Sequence, residues 1–226
     1  MTYQWDFTPV VANAPLLAEG LANTLKITGV SLGCGLVLGL AFALMRLSHR
    51  RWLSLPAGFV IEVFRTTPPL VQLFWMFFAL PLIVGIEMTP FLAAIVTFSI
   101  QSGAFFAEVF RAGIQSIERG QWDGARAIGM THAQAMRRIV LPQAIKRMIP
   151  AFLERSIELM KTTTLVATIA YADLLFQAND IAQKTFRPLE TFTVVALIYF
   201  VVIFAVSILA RQLERRLAVS GESTVH

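Results

Sequence analysis

Gln121-Trp-Asp-Gly-Ala-Arg-Ala-Ile-Gly-Met130, followed by Ile139-Val-Leu-Pro-Gln143, is a water-loving stretch in a chain that otherwise reads as one apolar span after another. It sits inside a basic segment from Arg111 to Arg147. A chain that keeps a short amphipathic helix on one face of a membrane presents something to be gripped there. Trp122, Ala125 and Gly129, with Ile128 alongside, make an apolar stripe at helical spacing, and Asp123 is expected in the first turn, where the helix dipole favours an anion. Gly129 is a natural stop. Thr131-His-Ala-Gln134 then fits a capping box opening a second helix, which the Leu141-Pro142 step is expected to limit. Composition alone leaves two readings of this hairpin open: a docking element, or a surface feature with no partner.

Working outward, only 15% of the 226 residues are charged and 56% are hydrophobic. An ordinary soluble domain carries about 25% charged residues, so the composition points to an integral membrane protein. Crossing a hydrocarbon core as helix takes roughly 20 mostly apolar residues, because unpaired backbone amides are costly in lipid. Ile27 to Met45, Thr66 to Ile86, Met88 to Ala107 and Thr191 to Ala210 are uncharged runs of that kind. Thr162 to Ala172 joins them only if Met148 to Leu153 and an intervening charged stretch are added. The expected organisation is a single transmembrane domain over 1–226. Its spans lie near 17–46, 56–84, 88–112, 148–172 and 190–212, and a cytoplasmic loop covers 113–147.

Cations set the orientation. Arg46, Arg50 and Arg51 follow the first span, a basic cluster from Arg111 to Arg147 follows the third, and Arg211, Arg215 and Arg216 follow the fifth. The opposite loops, Gly85 to Pro90 and Asp173 to Glu190, hold only Lys184 and Arg187. By the positive-inside rule the amino terminus is outside and the carboxyl terminus cytoplasmic, which needs an odd number of crossings; five satisfies it. The net charge of +5 is then a topology signal rather than nucleic-acid affinity. Met1 to Ala18 holds no Lys or Arg and no continuous apolar core, so the first long helix is expected to direct insertion. Tyr3, Trp5 and Phe7 suit either an interfacial segment or a disordered start. The one cysteine, Cys34, and the scattered His49, His132 and His226 offer no disulfide, metal cluster or redox centre.

Individual spans carry further signals. Gly29, Gly33, Gly35 and Gly39 form two small-xxx-small pairs in the first span, suited either to packing within the chain or to a subunit contact. The second reads Glu62-Val-Phe-Arg-Thr-Thr-Pro-Pro-Leu-Val-Gln72, and Pro68-Pro69 strips amide donors from a helix in mid-crossing, so carbonyls near Phe64 and Arg65 lose partners and the helix kinks or breaks. Irregular backbone at that depth is tolerated where it lines protein or a watery cavity. Gln101 stands in mid-span three, as an interhelical hydrogen-bonding group or a ligand contact. Glu154, Arg155, Glu158 and Lys161 fall within the fourth span, at about 3 kcal/mol apiece if they faced lipid, so they must face protein, a wet pathway or the membrane boundary. Their spacing allows Glu158 to pair with Lys161.

The segment Arg119 to Thr131 together with Arg138-Ile-Val-Leu-Pro-Gln-Ala144 resembles the EAA loop of ABC-importer permeases. Phe64 to Phe74 is similar to the second-span signature of the polar amino acid branch (the histidine, glutamine and glutamate type). Ala107-Glu-Val-Phe-Arg-Ala-Gly-Ile-Gln-Ser-Ile117 is similar to its third-span exit, and Lys161-Thr-Thr-Thr-Leu165 to its Lys-x-Thr/Ser-Ser-Leu element. The resemblance covers about residues 16 to 217. Asp123-Gly124-Ala125 replaces the Glu-Ala-Ala that names the loop, lowering helix propensity at Gly124 by roughly 1 kcal/mol relative to alanine. Glu154-Arg155 stands where many relatives have Asn-Glu.

The resemblance implies an all-α membrane protein with the type I importer permease fold, in a bacterial cytoplasmic (inner) membrane. It implies two ABC ATPase subunits, a second permease subunit (identical or a sister chain), an extracytoplasmic solute-binding protein, an amino acid or similar small zwitterion as cargo, and no nucleic acid. No Gly-x-x-x-x-Gly-Lys-Ser/Thr loop exists, so the chain is expected to be a transport subunit rather than an enzyme, without cofactor or metal. The expected substrate pathway comprises Glu62, Arg65, Thr66, Thr67, Gln72, Gln101, Glu154, Arg155, Glu158 and Lys161. Carboxylates there suit an ammonium group, and a guanidinium fork suits a carboxylate. ATPase coupling is expected at Gln121, Trp122, Asp123, Gly124, Ala125, Ile128, Gly129, Met130, Leu141 and Pro142. An independent ion-coupled carrier or channel would also bury charge in the fourth span and break the second.

Overall fold

The computed structural model describes residues 3–48 and 50–218, with side chains as far as Gln212. His49, His226 and the side chains of Arg215 and Arg216 lie outside the described residues. The chain is helical throughout: α1 (Thr8–Ala12), α2 (Ala14–Arg46), α3 (Arg51–Thr66), α4 (Pro69–Val84), α5 (Pro90–Gln115), α6 (Arg119–Ala127), α7 (His132–Ile169), α8 (Leu174–Thr185) and α9 (Pro188–Ala218). Among the described residues three helices, α2, α5 and α9, are long and apolar enough to cross a membrane alone. The bent pairs α3 with α4, at 113°, and α7 with α8, at 49°, raise that to as many as five.

Glycine sets how closely α2 approaches α5. A Cβ on Gly35 would stand 2.6 Å from the Ser102 Cβ, and one on Gly39 2.6 Å from the Phe106 Cβ; across the seam, a Cβ on Gly103 would stand 2.9 Å from the Leu38 Cβ. Only hydrogen fits there, so one small-residue pair is spent inside the chain. Gly29 and Gly33 meet nothing within 4 Å. Ile27, Leu73, Phe98, Leu159 and Val166 close the core where α2, α4, α5 and α7 meet. A second cluster of Val10, Leu17, Leu174, Ile181 and Val195 ties α1 and α2 to α8 and α9. The crossing window of α9 is only 6% buried against the rest of the chain, so its apolar surface is turned outward.

Two expectations about the chain's path are corrected. The Leu141-Pro142 step does not end the second cytoplasmic helix: α7 runs through it, because Met136–Val140 forms a π-turn that leaves room for the proline ring. The segment after Asp173 is not a plain outer loop but holds α8, which Asp173 starts by accepting the Phe176 amide at 2.8 Å.

Candidate functional site

The break between α3 and α4 follows from Pro68-Pro69. Thr67 and Pro68 are extended, with ψ of 138° and 134°, and the chain resumes as helix at Pro69. The carbonyls this frees are recovered by one side chain: the Gln72 amide donates to Phe64 O at 3.0 Å and to Thr67 O at 2.9 Å. Gln72 is therefore a buried brace for the bend and does not line the cavity beside it.

That cavity, of about 290 Å³, lies between the break, α5 and α7. Arg65, Thr66 and Thr67 with the two prolines form one wall, Gln101, Ser102, Phe105 and Phe106 a second, and Arg155, Glu158, Leu159 and Thr162 a third. Of the expected pathway residues, Arg65, Thr66, Thr67, Gln101, Arg155 and Glu158 thus meet in one place. Glu62, Glu154 and Lys161 are exposed and do not line the cavity. The expected Glu158–Lys161 pair is also corrected: Glu158 accepts from Arg155 at 2.5 Å, one turn earlier on α7. Arg155 in turn lays its guanidinium over the Phe105 ring at 4.4 Å, and Arg65 faces the same ring at 5.9 Å. Phe105 and Thr162 were missed as site residues in the sequence, being ordinary residues of an apolar and a threonine-rich run.

A second cavity of about 350 Å³ opens on the cytoplasmic side of Phe105. Arg65, Phe105 and Arg155 line it as well, together with Glu108, Ala112 and Ser116 of α5 and its exit and Arg147, Met148 and Ala151 of α7. Glu108 pairs with Arg111 and lies 4.0 Å from Arg65.

At the cytoplasmic end, α6 is a short helix with a complete C-terminal lock. The Met130 amide donates to Ala125 O at 3.0 Å and the Gly129 amide to Arg126 O at 2.9 Å, with Gly129 at φ +79°, a Schellman motif whose left-handed position favours glycine. The helix begins at Arg119, two residues before the start read from the sequence, so Asp123 lies beyond the first turn and pairs instead with Arg126 at 3.6 Å. Ala125 is buried, and Trp122 packs on the cluster of Ile117, Val140, Ala144 and Met148 while stacking on His132 at 5.0 Å. Thr131 and Gln134 complete a reciprocal capping box at the start of α7. Gln143 reaches Gln121 at 3.4 Å. The outward face of α6 presents Asp123, Gly124 and Ile128, the last 71% exposed. Leu141 and Pro142 are exposed on α7, and it is Val140 and Ala144 beside them that hold Trp122.

Residues 35–219 match the family model described as binding-protein-dependent transport system inner membrane component. The arginine transport system permease protein ArtQ of Bacillus subtilis is 36% identical over 94% of this chain and 97% of its own. The glutamate/aspartate import permease protein GltK of Escherichia coli O157:H7 is 35% identical over 96% of this chain and 100% of its own. A chain from the crystal structure of an amino acid ABC transporter with histidines superimposes with a TM-score of 0.91 at 40% identity, covering 95% of this chain and all of that one.

Proposed function

The chain belongs to the binding-protein-dependent transport system inner membrane components, as the permease of an amino acid ABC importer, and we propose that its cargo is a polar or charged amino acid passing through the cavity at the broken second span. It is the membrane part of the system and not the ATPase, and it works with an ATPase and a binding protein. Relatives named for arginine, glutamate/aspartate and glutamine support the cargo class.

One observation carries the site. Beside the break between α3 and α4 the chain gathers two guanidinium groups, a carboxylate and a buried glutamine around a cavity of about 290 Å³, near the lower end of the roughly 300–1,000 Å³ usual for small-molecule sites. A free amino acid brings both charges that such a set satisfies. Its carboxylate fits the fork of Arg155, which then trades its bond to Glu158 for one to the ligand, and Glu158 is released toward the ammonium group. The Thr66 and Thr67 wall and Gln101 supply the neutral polar contacts. A second permease subunit, of the same or a sister chain, closes the open side, and two ATPase subunits engage α6 of the pair.

Coupling follows from the α6–α7 hairpin. The Trp122–His132 stack, the capping box and the Gln121–Gln143 contact fix α6 to the start of α7, and α7 continues as helix to the cavity. Movement of α6 by an ATPase is therefore passed along α7 toward Arg155 and Glu158. Contacts that differ between two such states are what link ATP hydrolysis to cargo release. The assembled complex tests this. Gly129→Asp breaks the left-handed lock and Asp123→Lys reverses charge on the exposed face, and both are expected to lower ATPase stimulation by loaded binding protein. Unchanged stimulation in intact complexes rejects the lever. Uptake unaltered by Arg155→Met removes Arg155 from the site.

A further inference from the structure

Asp173 is a fully buried acid that lines neither cavity. It stands in the bend between α7 and α8, just past residue 172, where the fourth span is expected to end. One carboxylate oxygen accepts the Phe176 amide at 2.8 Å; the other is buried without a hydrogen-bond partner among the described residues, as is the hydroxyl of Tyr199 on α9. Tyr199 packs on the cluster of Leu17, Leu174 and Val195, so both groups belong to one joint of four helices. There the Leu174 amide donates to Thr24 of α2 at 3.2 Å, and the Asn23 side chain donates to Ala172 O at 2.9 Å. Gly20 brings α2 so near that a Cβ on it would stand 2.9 Å from Asp173 O. Ala170, at the end of α7, holds φ +59°, a left-handed conformation that a residue with a Cβ adopts under constraint from its surroundings.

We infer that Asp173 is a proton-sensitive anchor for the outer end of α7: protonated, it donates to the Tyr199 hydroxyl and ties the bend to α2 and α9, and ionised, it loosens the joint so that α7 can swing. This rests on the reading of α7 as the lever that α6 drives. The physical ground is a carboxyl taken out of water with no cation beside it, for which the neutral form is the cheaper one. Tyr199 and Tyr171 are the titratable groups that feel its charge, and both are neutral at physiological pH. Charges elsewhere on the packed helices are exposed or engaged. Glu19 of α2 and Lys161, the last charged residue of α7, are exposed, and Lys26 lies over the Phe91 ring at 4.9 Å. Asp180 pairs with Lys184 on α8, and Arg187 with Glu190 at the head of α9. Burial accordingly pushes the Asp173 carboxyl up to about 6. A raised carboxyl stabilises the joint while protonated, fully so below its ordinary value near 4, and that contribution is lost as pH rises through about 6. From about pH 5 to about pH 7.5 the joint should therefore open about tenfold more often.

Hydrogen exchange in the complex with its ATPase and binding protein, reconstituted in liposomes, tests the anchor. Corrected for the intrinsic pH dependence of exchange, protection of the Leu174 and Phe176 amides is expected to fall about tenfold over that range. Asp173→Asn keeps an oxygen for the Phe176 amide and an uncharged donor for Tyr199, so its protection should stay high and flat, and its uptake slow, at every pH. Parent uptake should slow toward the Asp173→Asn rate as the external medium is acidified, with the ATP-filled lumen buffered and the binding protein kept saturated with glutamine, glutamate or arginine. Tyr199→Phe should lose that acid slowing. A flat protection profile in the parent overturns the anchor, whatever the variants do, and leaves the lever to be judged by Gly129→Asp. A pH-dependent profile in Asp173→Asn overturns it as well. So does parent uptake that ignores external pH while protection changes, since the joint then does not govern the swing of α7.

Discussion

Two identical substitutions on α2 are expected to have opposite effects. A Cβ at Gly39 would lie 2.6 Å from the Phe106 Cβ, 3.0 Å from Gly103 O and 3.2 Å from the Ala107 amide nitrogen. Carbon atoms touch comfortably at about 3.5–4.0 Å, so α2 and α5 must separate by about 1 Å, and the obstructing atoms are backbone and a Cβ, which have no rotamer to escape into. Overpacking of this kind costs about 1–3 kcal/mol, against roughly 0.5–1 kcal/mol gained by replacing a helical glycine with alanine. At Gly29 nothing lies within 4 Å, so only the gain applies. Gly39→Ala and Gly29→Ala should therefore differ by about 2 kcal/mol, or about 4–8 °C at the 2–4 °C per kcal/mol usual for chains of this size. Thermal unfolding of the purified complexes measures the gap. The displaced α5 carries Gln101 and Phe105, so Gly39→Ala should also slow uptake. Equal melting temperatures for the two variants would refute the close approach of α2 to α5.

Gln72→Met is expected to lower maximal uptake, because the Thr66–Pro69 wall loses its brace, yet to leave unchanged the order in which amino acids compete; a changed order in competition assays would put Gln72 in contact with cargo. Thr131→Ala removes the reciprocal capping box at the head of α7, a loss of about 1 kcal/mol, and should weaken ATPase stimulation while leaving binding-protein affinity for cargo untouched. Unaltered stimulation contradicts the rigid hairpin. At the outer end, hydrogen bonds from Thr8 hold the Asp6 carboxyl below its ordinary range. A depressed carboxylate pKa stabilises above the unfolded value, so protection of the Thr8 amide from hydrogen exchange should be full above about pH 4 and fall as pH drops through the depressed value. A profile flat to lower pH rejects that contact.

The helical membrane architecture was legible because its signals are long-range and redundant: apolar runs, basic flanks and a double proline. The α6 hairpin was legible through Gly129 and the Thr131/Gln134 box, which encode backbone geometry locally. Where the reading failed, the competing physics was tertiary. Gln72 looked like a polar group facing cargo, but the break had left carbonyls that needed a donor, and Gln72 was within reach. Glu158 had two cationic neighbours at helical spacing, and which one it took depended on Phe105 drawing Arg155 toward the same side. Pro142 reads as a helix stop until the π-turn before it is known. Phe105 carried no signal: a phenylalanine in a span already rich in them becomes distinctive only when two arginines from other helices arrive at its ring.

The account stands most directly on where the energy comes from. Uptake of labelled amino acid should be followed in liposomes bearing this permease alone, and in liposomes bearing it with its ATPase, ATP and loaded binding protein. Accumulation against a gradient is predicted only in the second preparation. Uphill accumulation by the permease alone would contradict it.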